Sequence, residues 1–240
     1  DYLCRLPMKK YTHIIFDLDR TLWDFDRVSH EVLSEIYSEL VQPLTTFSFD
    51  YFHEKYKVIN SGLWDLYRRN EIKKDLLRVK RFTLSLEELG LDRPWLANQM
   101  ADEYVKRTTE HAYLFPGTME LLAYLKEKNY VLSVMTNGFK EVQYPKIARS
   151  GLGPYFDYIF ISEEIGFNKP DIRIFNFALK KMDAKPEEVV FVGDDYEVDI
   201  EGAAAAGMDQ VFFNPHTEPG IGSKPATYRI AELSELMKIL

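Results

Sequence analysis

Hydrophobic residues along this chain follow two rhythms. Short, mainly apolar runs occur at Tyr11–Phe16, Val131–Met135, Tyr158–Ile161, Val189–Val192 and Gln210–Phe213, each closing on polar residues or glycine. Continuous runs of this length read as strands buried on both faces. Helix-like stretches separate the later runs: Pro170 opens one that carries Phe175 and Leu179, and Gly207 closes an alanine-rich one. Strand alternating with helix predicts an α/β fold with a parallel sheet of five strands. The tail from Thr227 to Leu240 adds material for a sixth, edge strand and a closing helix.

The rhythm changes between the first and second runs, where residues 23–112 contain no comparable β-like segment. Val28, Val32, Leu33, Ile36, Tyr37 and Leu40 recur at spacings of three and four, as one face of a helix requires. Further helices are predicted around Tyr51–Arg69, Lys73–Leu89 and Pro94–His111, with Gly90 and Pro94 as punctuation. A crossover between parallel strands needs only about a dozen residues and a helix, so the surplus predicts a separate insert of four-helix size. The expected division is a core of residues 1–22 and 113–240 and an all-helical cap of residues 23–112. Because the insert leaves the sheet directly behind a group of acidic residues, it reads as a lid, the alternative being a structural bundle that covers the sheet.

Composition narrows the range of functions. With 46% hydrophobic and 28% charged residues in 240, the chain has the make-up of an ordered protein. The balance of 30 basic against 38 acidic side chains, a net −8, argues against broad adhesion to nucleic acid polymers or anionic membranes. Cys4 is the single cysteine, which excludes an intramolecular disulfide and a cage of several thiolates and fits a reducing compartment. No apolar run approaches the roughly 18 residues that span a bilayer, and the first ten residues lack the apolar stretch of a secretory signal. A soluble, cytoplasmic protein is expected, with Met8, Lys9 and Lys10 readable as a native start behind a short leader. Nothing in the composition specifies an oligomeric state.

Four of the five apolar runs end in unusual polar groups, at the carboxyl ends of strands where ligands bind in open α/β sheets. The first ends in Asp17, Leu18, Asp19, Arg20 and Thr21. Two carboxylates so close repel unless a cation lies between them, so the pair suggests a metal site or a raised pKa; taken in isolation, a turn with an aspartate helix cap is the plainer account. The second ends in Thr136, Asn137 and Gly138, donors suited to phosphate oxygens but also residues of a common turn. After the third comes Lys169 before Pro170, an ammonium placed against the dipole of a starting helix, which points to an anion unless the lysine is simply solvated. The fourth gives Gly193, Asp194, Asp195 and then Asp199, oxygen ligands for a hard cation or an acidic helix start. His13, His30, His53, His111 and His216 show no metal-ligand spacing.

Taken in order, Asp17-x-Asp19-x-Thr21, Thr136, Lys169 and Gly193-Asp194-Asp195 with Asp199 resemble the motifs of the haloacid dehalogenase superfamily over nearly the whole chain. The resemblance implies a Rossmann-like core and a phosphatase chemistry in which Asp17 attacks phosphorus and Asp19 protonates the leaving group and then activates water. It implies that Thr136, Asn137, Gly138 and Lys169 hold the phosphoryl group. Magnesium would be bound by Asp17, the Asp19 backbone carbonyl and Asp194, with Asp195 or Asp199 supporting it. These residue types suit the reaction, because a carboxylate attacks an anionic phosphate monoester only when a divalent ion and a lysine neutralise the charge. Asp19 favours a phosphatase over a dehalogenase, since a halide departs without a proton. About 32 residues separate Thr136 from Lys169, too few for the α/β lid some members carry there, so the helical insert is the cap.

More narrowly, the run from Phe16 to Phe25 and Thr136-Asn137-Gly138-Phe139 resemble the bacterial nucleotide 5′-phosphatases that act on pyrimidine nucleoside monophosphates. Arg20 departs from that group, which usually has Asn or Asp there. The expected substrate is a small phosphorylated metabolite, with a nucleotide first; sugar-phosphate or phosphoglycolate hydrolysis, a mutase of the β-phosphoglucomutase kind, and a catalytically silent binding module are the alternatives. Trp64, Arg81 and Phe139 are candidates for substrate contact, helix packing being the plainer account of Trp64.

Overall fold

The computed structural model describes residues 10–215 and 225–240; the expectations for Cys4, for the leader around Met8 and for His216 lie outside those residues. Along the chain, β1 (His13–Phe16) precedes four long helices, α1 (Phe25–Ile36), α2 (Phe49–Arg68), α3 (Lys74–Glu87) and α4 (Pro94–Thr108). There follow α5 (Thr118–Glu127), β2 (Val131–Thr136), α6 (Lys140–Arg149), β3 (Tyr158–Ile161), α7 (Ser162–Ile165) and α8 (Ile172–Met182). The chain ends with β4 (Val189–Gly193), α9 (Gly202–Ala205), β5 (Asp209–Phe213), β6 (Tyr228–Ile230) and α10 (Leu236–Ile239). It divides into two compact units, one of residues 1–24 and 113–240 and one of residues 25–112.

In the first unit all six strands are parallel, in the order β3-β2-β1-β4-β5-β6. This is the doubly wound, Rossmann-like order, in which the crossovers reverse direction beside β1 and leave a crevice at its carboxyl end. Continuous apolar strands belong in such a sheet because helices cover both faces: neighbouring Ile14 and Ile15 point to opposite sides and both are fully buried. On one face Ile15, Met135, Phe160 and Phe191 pack with Ile174, Phe175 and Ala178 of α8 and Ala203 of α9. Helix α8 is capped by Asp171, whose side chain accepts from the Arg173 N–H at 2.9 Å. Gly207 ends the alanine-rich turn at φ 81°, a left-handed conformation that glycine adopts without strain.

The second unit is all helical. Ser48 caps α2 by accepting from the Tyr51 N–H, and Pro94 occupies the first turn of α4, where a missing N–H costs nothing. An aromatic core of Phe52, Tyr56, Phe82 and Tyr104 fills the unit. The apolar face expected for α1 is buried through Tyr37, but the chain then widens into a π-helical turn over Tyr37–Val41, so Val41 takes the inward position and Leu40 is only half-buried. Among the described residues no helix is long and apolar enough to cross a membrane.

The Phe191 ring is fully buried and lies 5.5 Å from the ring of Phe175. Phe191→Ala is expected to cost about 3–5 kcal/mol through lost burial and a residual cavity. Urea denaturation checks this, and a loss under about 1 kcal/mol would show that the sheet and α8 repack around the gap.

Candidate active site

The site begins where β1 runs out. The Asp17 N–H still donates to the Val192 carbonyl at 2.8 Å, so the Asp17 backbone is fixed by the sheet itself. The next residues fold into a single tight turn in which the N–H groups of Leu22 and Trp23 both donate to the Leu18 carbonyl, at 3.0 and 2.8 Å. Arg20 sits in that turn at φ 67°, a left-handed conformation that strains a residue with a side chain. Asn or Asp is better suited there, which gives a physical meaning to the departure at this position.

Lys169 lies in the turn before α8 and is 2% exposed. Its Nζ donates to Asp17 Oδ1 and to Asp199 Oδ1, each at 2.6 Å. The solvated lysine that the sequence allowed is thereby replaced by a buried cation between two carboxylates. Carboxylate oxygens of Asp17, Asp194 and Asp199 all lie within 4.8 Å of one another. Asp199 reaches inward from the π-helical turn Tyr196–Glu201, over the bare backbone of Gly193, where a Cβ would stand 2.4 Å from Asp199 Oδ2. The Thr21 hydroxyl donates to Asp194 Oδ1 at 3.4 Å.

These groups perturb one another strongly. Burial pushes the Asp17 carboxyl up to about 7, with Lys169 opposing and the Asp199 and Asp19 charges adding to the rise. Burial raises Asp194 well above the usual carboxylate range, helped by Asp17 and Asp199 and opposed by Arg20. Asp199 is raised by burial against the pull of Lys169. Burial alone would lower Lys169, but the Asp17 and Asp199 charges overturn this and hold its ammonium above the ordinary lysine value. Two buried carboxylates and the half-buried Asp194 against one ammonium leave negative charge unbalanced, and an all-oxygen donor set of this kind fits a hard divalent cation.

The other expected residues are distributed around this centre. Thr136 is buried at the end of β2, and its Oγ1 accepts from the Gly138 N–H at 3.0 Å. Asn137 is tied to Lys169 in both directions: its Nδ2 donates to the Lys169 carbonyl at 2.9 Å and its Oδ1 accepts from the Lys169 N–H at 2.8 Å. Asn137 therefore holds the loop that carries the lysine. The Asp19 carboxylate lies outside the three-carboxylate group, bonded by Lys146 Nζ and Gln143 Nε2 at 2.6 Å each. Asp195 also lies outside it, spending Oδ1 on the Val198 N–H at 3.0 Å as the cap of the π-helical turn. Of the two aspartates offered as support for a metal, the geometry brings in Asp199.

Phe139 is 5% exposed at the start of α6. Trp64 is half-buried in the helical unit, edge-on to Tyr67 at 5.5 Å. Arg81 is 4% exposed, with its guanidinium 4.6 Å from the Tyr104 ring centroid and bonded to the Arg78 carbonyl and Asn60 Oδ1. It is committed to the packing of its own unit. Gln143 and Lys146 were missed in the sequence. Their signal is that two polar residues, three apart after the second motif, occupy the same inward face of α6 as Ile147.

Fold and site define a Rossmann-like core with an inserted helical cap and an acidic centre at the switch point. The chain belongs to the family described as "Hydrolase: haloacid dehalogenase-like hydrolase", whose pattern matches residues 11–207. The HAD-hydrolase YfnB of Bacillus subtilis is 31% identical over 235 residues, 97% of each chain. A crystal structure of YfnB bound to magnesium matches with a TM-score of 0.87 at 30% identity, covering 97% of this chain and 99% of that one. The pyrimidine 5′-nucleotidase YjjG of Escherichia coli is 30% identical over 233 residues, 96% of this chain and 98% of that one. The glyceraldehyde 3-phosphate phosphatase of Methanothermobacter thermautotrophicus is 32% identical over 206 residues, 84% of each.

The pKa of Asp17 sets a pH-dependent response to metal. Between its ordinary 3.8 and about 7 the folded state binds more protons than the unfolded one, so this group's contribution to stability falls as pH rises through that window. A cation relieves the repulsion that protons otherwise relieve. Magnesium chloride is therefore expected to raise the melting temperature more at about pH 8 than at about pH 5. Thermal melts with and without EDTA check this; an equal shift at both pH values would contradict it.

Proposed function

We propose that the protein is a magnesium-dependent phosphomonoesterase that hydrolyses nucleoside 5′-monophosphates through a phosphoaspartate on Asp17, acting in the cytoplasm. The observation that carries the phosphatase reading is the Asp17 carboxylate, fixed at the end of β1 and 2.6 Å from the buried Lys169 ammonium, within the three-carboxylate group. YfnB binds magnesium, and in this chain Asp17, Asp194 and Asp199 would hold the ion. When bound, magnesium supplies the charge neutralisation that lets a carboxylate approach an anionic phosphoryl group. The Asp19 backbone carbonyl would be a further ligand and Asp195 a supporting residue, as the resemblance implies.

In the first half-reaction an Asp17 oxygen attacks phosphorus and the bond from phosphorus to the ester oxygen breaks. Asp19, carrying a proton, gives it to the departing alkoxide, which leaves as the alcohol. Lys169 and the Thr136 hydroxyl face the charge on the phosphoryl oxygens, with the Gly138 turn holding Thr136. In the second half-reaction water gives a proton to the Asp19 carboxylate and attacks phosphorus. The bond from phosphorus to Asp17 breaks, orthophosphate leaves, and both aspartates return to their starting forms.

The nucleotide assignment is supported by YjjG and by the motif resemblance around Asp17 and Thr136. A second reading, hydrolysis of a small phosphorylated sugar or aldehyde, is supported by the glyceraldehyde 3-phosphate phosphatase at similar identity. Both readings use the same catalytic residues. A phosphate-release panel of nucleoside monophosphates, sugar phosphates and triose phosphates separates them: the highest kcat/KM is expected on a pyrimidine nucleoside monophosphate, and activity confined to sugar or triose phosphates would reject the nucleotide reading. Asp17→Asn is expected to lower hydrolysis of every substrate by about 10³-fold or more while leaving the melting curve folded. Equal rates for the two proteins would remove Asp17 from the mechanism.

A further inference from the structure

The mechanism above leaves two buried polar side chains of α6 unexplained. Lys146 is 1% exposed, and its Nζ is bonded to Asp19 Oδ1 at 2.6 Å while lying 5.2 Å from the centroid of the buried Trp23 ring. Gln143, also 1% exposed, donates from Nε2 to Asp19 Oδ2 at 2.6 Å and to Thr136 Oγ1 at 2.9 Å. The two residues are three apart, so one helix face delivers both to the same carboxylate. The approach is close, for a Cβ on Gly138 would stand 1.7 Å from Gln143 Nε2.

Hydrogen counting gives this arrangement a direction. The Gln143 amide must present its NH₂ to Asp19, because its oxygen would repel a carboxylate, and the two hydrogens are then both committed. Its Oε1 is left buried with no partner, an arrangement a side chain selected only for packing would avoid. Thr136 Oγ1 accepts from Gln143 and from the Gly138 N–H, which occupies both lone pairs. Its hydroxyl hydrogen remains to be donated. Asp19, in turn, accepts at both oxygens, which fixes the plane and the direction of its carboxylate.

We propose that Gln143 and Lys146 are positioning residues: together they hold Asp19 as the acceptor that takes the proton from water, and Gln143 also turns Thr136 into a donor toward the phosphoryl oxygens. This rests on the phosphoaspartate reading. In the step concerned, water transfers a proton to Asp19 as its oxygen bonds to phosphorus, and the bond from phosphorus to Asp17 breaks to release orthophosphate. Lys146 and Gln143 touch neither water nor phosphorus in that step; they act through Asp19 and Thr136.

Pre-steady-state kinetics with p-nitrophenyl phosphate test the proposal, because an aryl oxide leaves without a proton and the first half-reaction no longer draws on Asp19. Lys146→Met is expected to keep a burst of one nitrophenolate per enzyme while the steady-state rate falls about 10- to 100-fold, and acid-quenched protein is expected to carry one phosphoryl group by mass. Asp19 is 26% exposed, so water can solvate it once the ammonium is gone and the variant is expected to fold. Gln143→Leu is expected to slow the steady state similarly and to raise the inhibition constant for inorganic phosphate about tenfold, an effect Lys146→Met does not share. Burst and steady state falling in the same proportion for Lys146→Met, with an unchanged melt, would overturn the role given to Lys146. An unchanged phosphate inhibition constant in Gln143→Leu would overturn the role given to Gln143 toward Thr136. Failure of the underlying reading is distinguishable, since the wild type would then hydrolyse no phosphomonoester or would do so with Asp17→Asn equally active.

Discussion

A lysine ammonium buried between two carboxylates organises this protein. Lys169, with Asp17 and Asp199 each 2.6 Å from its Nζ, would be a poor choice for stability alone, since removing three charged groups from water costs several kcal/mol per ion before their attraction offsets it. Asp194 makes the balance worse by bringing a further carboxylate within 4.8 Å. An arrangement this electrostatically unsatisfied is characteristic of a site that awaits charged partners. A divalent cation and a phosphoryl group would together complete it, one meeting the carboxylates and the other the lysine.

The sheet makes that arrangement rigid. Asp17 hangs from β1 at the reversal of strand order, so elements on both sides of it contribute: β2 and α6 bring Thr136, Gln143 and Lys146, while β4 and the turn after it bring Asp194 and Asp199. Asn137 bonds both backbone groups of Lys169, whose ammonium reaches across to Asp199 on the other side. Two small-residue positions allow the close approaches on which this depends. Gly193 leaves room for the Asp199 carboxylate, and Gly138 leaves room for the Gln143 amide. A side chain at either position would push a polar group out of the site, so these glycines are required by contact rather than by turn conformation.

The two carboxylates of the first motif are thus given different surroundings within three residues of chain. Asp17 faces a cation shared with other acids, and burial raises its pKa to about 7. Asp19 is bonded by a lysine of its own and a glutamine amide, away from the three-carboxylate group. Separate environments for neighbouring carboxyls are how one fold assigns a nucleophile and a proton carrier. Arg20, the residue after Asp19 and strained at φ 67°, opposes the rise in the Asp194 pKa and so adds positive charge to the same corner.

The sequence alone determined what local pattern can encode. Apolar runs marked the strands because both faces of a parallel sheet are buried, and spacings of three and four marked the inserted helices because one face of each is packed. Acidic and donor residues at the ends of those runs located the centre, since strand ends are where a doubly wound sheet opens. Only the tertiary structure decided which side chains meet. It chose Asp199 over Asp195 because a π-helical turn changes the direction in which each points, and it sent Arg81 into the packing of the helical unit. It also brought Gln143 and Lys146 to Asp19, across more than a hundred residues of sequence. Such choices depend on strand adjacency and on the phase of a turn, properties that involve distant parts of the chain at once and leave no mark in any short stretch of it.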